Sequence, residues 1–533
     1  MTTHAAPPPP DATSNATRLL CAGTYLDPVY RKAVIRELLT HRYRVVAPSY
    51  GYDAAPVLAH ALAAHNLRRN QLIALWTGAV VVALLLAAGV LGGWTAALFF
   101  FWLAWATMFL RRLAILQTLA EHLAPPADDR RGFDGSHPLT SRLTPELVGK
   151  INREQASDTV YYGGYKPFVG SGTSIRRWAN AELLLGAPKS RGGALGQGLL
   201  NGHVPAQHGP ADGTNGADGS HGAGESGRTE RKPIVPFTVE DITARVSEQM
   251  LAELRDKPAP SDRVQLLSVD RRRFSKAVRT AEGSDPVAVL LDAPGPDLTD
   301  EHWREDYDAS REYLCVRIGA WRQELVTSVF IGFDIKGSTL HTEFYTYVLG
   351  PVPEGFHLAD RLPATLDTKL MWRIAWDVTR SAPGELLRLI ANPLRERLPS
   401  RFGTDTVRKL VGRPADNSEF KLGRYALTSV DCGALTSVRE LAPDNDFHHF
   451  FQESDAIKYV QIIERHLLQI VGDFLRDHDV DTREHEANQT NILQQNFGAN
   501  STNNFGGNQS VGNTNTTQTF GNNSGVTREA RQA

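Results

Sequence analysis

Between Arg69 and Arg111 the chain runs for 41 residues without an ionisable side chain, NQLIALWTGAVVVALLLAAGVLGGWTAALFFFWLAWATMFL. As a helix this run extends about 60 Å, twice the ~30 Å hydrocarbon thickness of a bilayer. Two spans fit better than one: residues 72–91 and 93–110, reversing at Gly92-Gly93, where the backbone turns most cheaply. The first span carries eleven Leu, Ile or Val residues and no charge, so its insertion is favourable by several kcal/mol. Arg68, Arg69, Arg111 and Arg112 flank the hairpin on one side, which places both ends in the cytoplasm by the positive-inside tendency. A helical hairpin buried in a soluble core would show a polar stripe, and none is visible. A re-entrant hairpin stays open, because a two-residue turn is short for two full crossings.

The remaining composition excludes more than it selects. The net charge of −2 over 533 residues gives no push toward nucleic acid. Cys21, Cys315 and Cys432 are far apart, with no CxxC, so neither a disulfide framework nor a zinc cluster is indicated. The start, MTTHAAPPPPDATSN, lacks a charged region followed by an apolar core, and residues 1–17 read as a disordered tail rather than a cleavable signal.

Residues 18–69 read as a small cytoplasmic α/β element: strand, helix and strand, with Asp27-Pro28 starting the helix. DAAPVLAHALAAHNLRRNQ, capped by Asp53, runs toward the first span, and RRLAILQTLAEHLA continues the second, so the hairpin of residues 70–112 stands on two stalks. Residues 113–186 hold a helix near 146–155 and two strands around the glycine-rich bend YYGGYKPFVGSG. Residues 187–232 are glycine-heavy with few large apolar side chains, which predicts a disordered insert that need not separate domains. Residues 233–480 form a cytoplasmic α+β region. Within it, residues 312–349 read as an antiparallel meander broken at GAWR and DIKGS. APGELLRLIANPLRERLPSRF is a basic amphipathic helix suited to its own domain or to an anionic leaflet, and SDAIKYVQIIERHLLQIVGDFL is a long amphipathic core helix.

Residues 481–533 read as a low-complexity tail. Between Glu486 and Arg528 lie another 41 uncharged residues, polar this time, sixteen of them Asn or Gln, with NFG recurring at Asn496 and Asn504. Such a tract suits stacking β arcs, since amide side chains form ladders and no charge opposes in-register association; plain disorder accounts for it equally.

No constellation with clear chemistry emerges, and no catalytic, cofactor-binding or metal-ligating residue is assigned. The bend GGYKPFVGSG fails the phosphate-loop pattern because Lys166 precedes a proline, and close backbone packing explains its glycines better. His448-His449 and His485/Glu486 lack a helix-spaced partner for a metal. The carboxylates at residues 300, 301, 305, 306 and 308 read as a solvated helix start, and Arg271–Arg273 as a short exposed basic run.

Several stretches together, LCAGTYLDPVYRKAVI, APSYGYD, the Arg-flanked hairpin, YYGGYKPFVGSG, YLCVRI and DCGALTSVREL, resemble uncharacterised two-span membrane proteins of high-GC Gram-positive bacteria. That resemblance implies a bacterial cell membrane and large cytoplasmic parts, and no activity. The expected fold class is therefore α+β cytoplasmic regions with a transmembrane α-helical hairpin, a disordered Gly-rich insert and an Asn/Gln-rich tail. The leading functional reading is a non-enzymatic membrane scaffold. Its partners are the lipid bilayer, a protein not identified by the sequence, and copies of itself held through the tail. Two rivals stand beside it: an effector of a signalling or defence system that perturbs the membrane when its tail assembles, and an enzyme of unfamiliar design in residues 233–480.

Overall fold

The computed structural model describes residues 11–126, 132–189, 231–259, 261, 263–281, 303–304, 310–363, 367–391, 428–442 and 447–497. They form a mixed α+β protein from which two long apolar helices project.

Ser14 accepts a hydrogen bond from the Thr17 amide and starts helix α1 (Asn15–Leu26); Asp27, ahead of Pro28, starts α2 (Pro28–Ile35), and a π turn over Arg36–Thr40 ends the pair. The start at Asp27 agrees with the sequence reading. The strands expected on either side do not form: residues 15–26 are helical and residues 41–53 run irregularly. The physical reason is that a short apolar run such as LLCA has no period to separate strand from helix. Its side chains Leu19, Leu20, Cys21 and Ala22 are fully buried.

Helix α3 (Ala54–Ala87), capped by Asp53, begins inside this N-terminal core and leaves it; α4 (Gly93–Glu121) returns, and Leu119 and Leu123 re-enter the same core. The stalks anticipated from sequence are thus the buried ends of the hairpin helices. Helix α5 (Pro145–Gln155) packs beside them, its Gln155 amide nitrogen donating to Asp53 at 2.9 Å.

The strands are β1 (Thr159–Tyr162), β2 (Thr173–Leu183), β3 (Leu267–Lys276), β4 (Val278–Ala281), β5 (Trp303–Arg304), β6 (Arg311–Ala320), β7 (Leu325–Lys336), β8 (Thr339–Leu349) and β9 (Thr428–Asp431). Six of them make one sheet in the order β1-β3-β6-β7-β8-β2, while β5, β4 and β9 pair separately. Only the β1–β3 pairing of the larger sheet is parallel. Strands from both sides of the glycine-heavy stretch therefore share a sheet. Where that stretch departs and returns, the Lys232 amide donates to the Ala187 carbonyl at 2.8 Å, so its ends lie side by side. The meander expected over residues 312–349 is present. Gly337 and Ser338 turn β7 into β8 with φ of 56° and 61°, the left-handed pair that a two-residue hairpin needs.

Strand β7 is buried without interruption from Leu325 to Gly332, because both sheet faces are covered. Helix α6 (Val239–Leu251) covers one face together with a 28-residue helix over Phe450–Asp477. On the other face Phe168, delivered by the glycine-rich bend, stacks on Phe330 with centroids 4.2 Å apart and touches Phe274, Tyr313, Tyr345 and Tyr347.

In chain order the remaining helices are α7 (Thr368–Ala391), α8 (Phe450–Asp477) and α9 (Arg483–Phe497). Helix α7 starts 14 residues before the amphipathic helix read from Ala382, with Pro383 inside it; residues 392–402 lie outside the described residues. The tail read from residue 481 also needs correction. Its first part is helix α9, docked where His485 is buried against Glu182 and where Arg176 donates to the Ile492 carbonyl at 3.0 Å. Composition alone hid this, since the two contacts join positions some three hundred residues apart. The NFG-rich stretch after residue 497 and most of the glycine-heavy insert lie outside the described residues.

Candidate functional site

The hairpin is the most unusual surface of the molecule. Both helices are long and apolar enough to cross a membrane, with mean hydropathy of 1.9 and 1.5, and 17% of each such window is buried. Leu84 is 64% exposed and Trp94 85%, and Val80, Val90, Leu98 and Trp102 are exposed beside them. A core helix of a soluble protein would bury these side chains.

Helix α7 lies along the base of this hairpin. Ile374, Val378 and Ala382 pack with Leu75, Ala104 and Met108. The Trp105 indole donates to Thr379 at 3.0 Å, and Arg112 donates to Ser381 and Glu385, both at 2.7 Å. Outside this contact Trp372 (79% exposed) and Trp376 (70%) flank an open apolar groove of about 450 Å³ that Trp105 and Phe109 also line.

A second, polar site lies where the N-terminal helices meet the sheet. A cleft of about 400 Å³ is lined by Trp321, Glu324, His357, Asp360, His448 and His449, with Glu354, Arg361 and Gln452 at its rim. His357, on a 3-10 helix over Glu354–Arg361, sits 3.0 Å from Glu324 Oε2 and 3.5 Å from Asp360 Oδ2. Hydrogen bonds to Asp360 and Glu324 push its pKa up to about 9, so it is an imidazolium at neutral pH. Burial works against the Asp360 carboxylate, but His357 and Arg18 hold it below the usual range, with Arg18 Nη1 at 2.5 Å. Asn15 donates to the other oxygen of Glu324, which ties α1 to the sheet.

The turn that carries Glu324 is strained. Trp321, Arg322 and Gln323 have φ of 51°, 55° and 67°, a left-handed run that costs about 1–3 kcal/mol per residue. Buried Arg439 holds it, donating to the carbonyls of Gln323 (2.9 Å), Glu324, Gly350 (2.9 Å) and Tyr50 (3.4 Å). Burial lowers its pKa to about 10, which leaves it charged at neutral pH.

The residues weighed in the sequence separate cleanly. His448 and His449 reach the cleft: His448 Nε2 is 2.9 Å from the Val352 carbonyl, and the His449 ring stacks on Trp321 at 5.8 Å. His485 is structural, its ring nitrogens 3.0 Å from Glu182 and 2.8 Å from the Leu468 carbonyl. The bend cannot cradle phosphate in this form, because the Gly164 and Gly172 amides already donate to Asp431 (2.7 Å) and Glu440 (3.0 Å). A Cβ at Gly172 would lie 2.2 Å from the Val348 carbonyl oxygen, at φ +88°, so close backbone packing does account for that glycine. In the basic run, Arg271 pairs with Glu240 and Arg273 with Glu312, while Arg272 lies over the Tyr50 ring at 5.5 Å. The acidic cluster at residues 300–308 lies outside the described residues. Among the described residues no group of three or more His, Cys, Asp or Glu is arranged to hold a metal ion. His357, Glu324 and Asp360, the centre of the cleft, carried no local signal in the sequence.

The model of the AbeC-like domain matches residues 207–514, more than half of the chain. The chain belongs to the AbeC-like domain family. Its AbeC-like region holds β3 to β9, α6 to α9 and the cleft residues from Trp321 to Gln452, but neither the hairpin nor β1 and β2, which complete the sheet from outside the match. The family match is therefore narrower than the resemblance read from the sequence, which took in most of the chain. Neither a curated protein nor a solved structure matches this chain.

Proposed function

We propose that this AbeC-like protein is a membrane-anchored scaffold, held by its hairpin on the cytoplasmic face of a bacterial cell membrane. The observation that carries the reading is the pair of helices whose Leu, Val, Phe and Trp side chains project unburied, beyond a core that already encloses the other end of each helix. Arg68, Arg69, Arg111 and Arg112 at the base favour placing the body on the side of positive loops. The ionic cleft is consistent with an architectural role, since Arg18 and Asn15 of α1 bond to its Asp360 and Glu324. Assembly through the Asn/Gln-rich tail, and a protein partner bound by the body, belong to the same proposal.

Vesicle flotation tests the anchoring. The wild type should float, and a chain with residues 72–110 replaced by a Gly/Ser linker should stay at the bottom while keeping its circular dichroism outside the hairpin. A wild type that stays dissolved and monomeric without detergent or lipid would refute the reading. Native gels of the chain lacking residues 498–533 test assembly, which predicts a smaller oligomer than the wild type forms.

A second reading, an enzyme in residues 233–480, draws on the cleft alone, where His448 and His449 border a volume large enough for a small metabolite. Thermal-shift screening of metabolites against the wild type and His449→Ala tests it; a stabilising compound lost in the variant would favour it.

A further inference from the structure

The hairpin is long enough for two crossings, yet the helix beside it sets a limit on depth. We infer that α7 lies in the membrane surface and that the hairpin dips into the bilayer and returns without reaching the far side. This inference rests on the anchoring proposed above and specifies its geometry.

Three faces of α7 lead to it. At 100° per residue, Ile374, Val378 and Ala382 form the face that packs on the hairpin. Trp372, Trp376 and Thr379 form a second face that borders the groove with Trp105 and Phe109. Lys369, Arg373, Asp377 and Arg380 form a third, and all four are exposed. One aromatic face beside one charged face is the pattern of a helix lying at a membrane–water boundary, where indole rings sit at headgroup level. Trp105 and Phe109 of α4 line this groove as well, so the lipid proposed to surround α4 is its occupant.

The position of α7 along the hairpin then sets the depth. Its contacts reach Leu75 on α3, and Ala104, Trp105 and Met108 on α4. Thr368 at its start borders the same groove as Trp105. Were residues 72–110 immersed throughout, the exposed charges of α7 would be carried into hydrocarbon, where they are strongly disfavoured. With the surface at Leu75 and Trp105 those charges stay wet. The legs beyond, from Leu75 to Ala87 and from Gly93 to Trp105, are then each about 18 Å long, short of the ~30 Å hydrocarbon thickness.

Ala88, Gly89, Val90, Leu91, Gly92 and Gly93 offer no polar side chain to far-side water, and the exposed Trp94 offers only its indole N–H. The amides of Ala88, Gly89, Val90 and Leu91 donate back to the carbonyls of Leu84, Leu85 and Leu86 at 2.9–3.3 Å, and Thr95 Oγ1 donates to the Gly92 carbonyl at 2.8 Å. These bonds satisfy the end of α3 internally, as a reversal inside a bilayer requires, whereas the first turn of α4 has no side-chain cap.

Spin labels on the full chain in phosphatidylethanolamine/phosphatidylglycerol vesicles test the geometry. Cys21, Cys315 and Cys432 are buried and do not compete for labelling. A nitroxide at Val90→Cys should be accessible to oxygen and shielded from an aqueous nickel chelate, and one at Arg373→Cys should be open to the chelate. Chelate access at residue 90 equal to that at residue 373 would show a full crossing and overturn the inference while leaving the anchoring intact. Shielding at residue 373 would overturn the interfacial placement of α7. A chain that does not float with the vesicles refutes the anchoring, and this geometry with it.

Discussion

Arg439 Nη1 donates to the Gln323 carbonyl at 2.9 Å, so a buried cation grips the last residue of the left-handed turn between β6 and β7. The same guanidinium reaches the Glu324, Gly350 and Tyr50 carbonyls, and none of these acceptors is a carboxylate. Replacing it with methionine strands several carbonyls and releases the turn. Arg439→Met should cost at least about 1–3 kcal/mol, the cost of leaving a buried carbonyl without its donor. Arg439→Lys should recover only part, because an ammonium cannot reproduce the planar fork. Denaturation midpoints of the three proteins in one detergent check this; equal midpoints for wild type and Arg439→Met would show that the clamp does not stabilise the turn.

The cleft predicts a loss of stability on the alkaline side. His357 has a folded pKa raised to about 9, so its contribution is complete below about 6.5, its ordinary value, and fades as pH rises through 9. His357→Gln should therefore lower the melting temperature most near pH 6 and least near pH 10. A difference that does not change with pH would mean the ring packs without acting as a cation.

His60 predicts the opposite slope. Burial beside Tyr25 lowers its pKa to about 4, so the N-terminal core is fully supported above pH 6.5 and weakens as pH falls toward 4. Over that interval the loss should reach about 2–3 kcal/mol, since each tenfold weakening of proton binding corresponds to roughly 1.4 kcal/mol. His60→Phe should flatten the acid limb of the stability curve, and an unchanged limb would show that another group governs it.

Phe168 and Lys166 separate packing from phosphate binding in the glycine-rich bend. Phe168→Ala opens a cavity under Phe330 and should cost about 3–5 kcal/mol. The exposed Lys166 should be replaceable by alanine within about 0.5 kcal/mol. A phosphate ligand that protects the wild type against heat but not Lys166→Ala would reverse this assignment.

How much of this was legible in the sequence depends on the range of the interaction. The meander from β6 to β8 was readable because alternation, β-branched residues and the KGS turn are all local. The helical start at Asp27 was readable for the same reason. The strands expected around it were misread, because burial by α3 rather than any local period makes Leu19 and Leu20 helical. The cleft was invisible: Arg18 meets Asp360 across 342 residues and His357 meets Glu324 from another element, and each looks ordinary among its neighbours in the chain.

The sequence by itself determined the apolar hairpin, its reversal near Gly92 and the strands of the meander, since an uncharged run of leucines must leave water whatever surrounds it. Only the tertiary structure decided that β1 and β2 join that meander in one sheet, that Phe168 fills its open face, and that α7 lies against Leu75 and Trp105. Those arrangements depend on shape and on hydrogen-bond partners brought from elsewhere in the chain. The hydrophobic effect that drives burial is non-directional, so it selects which residues go inside without selecting what they meet there.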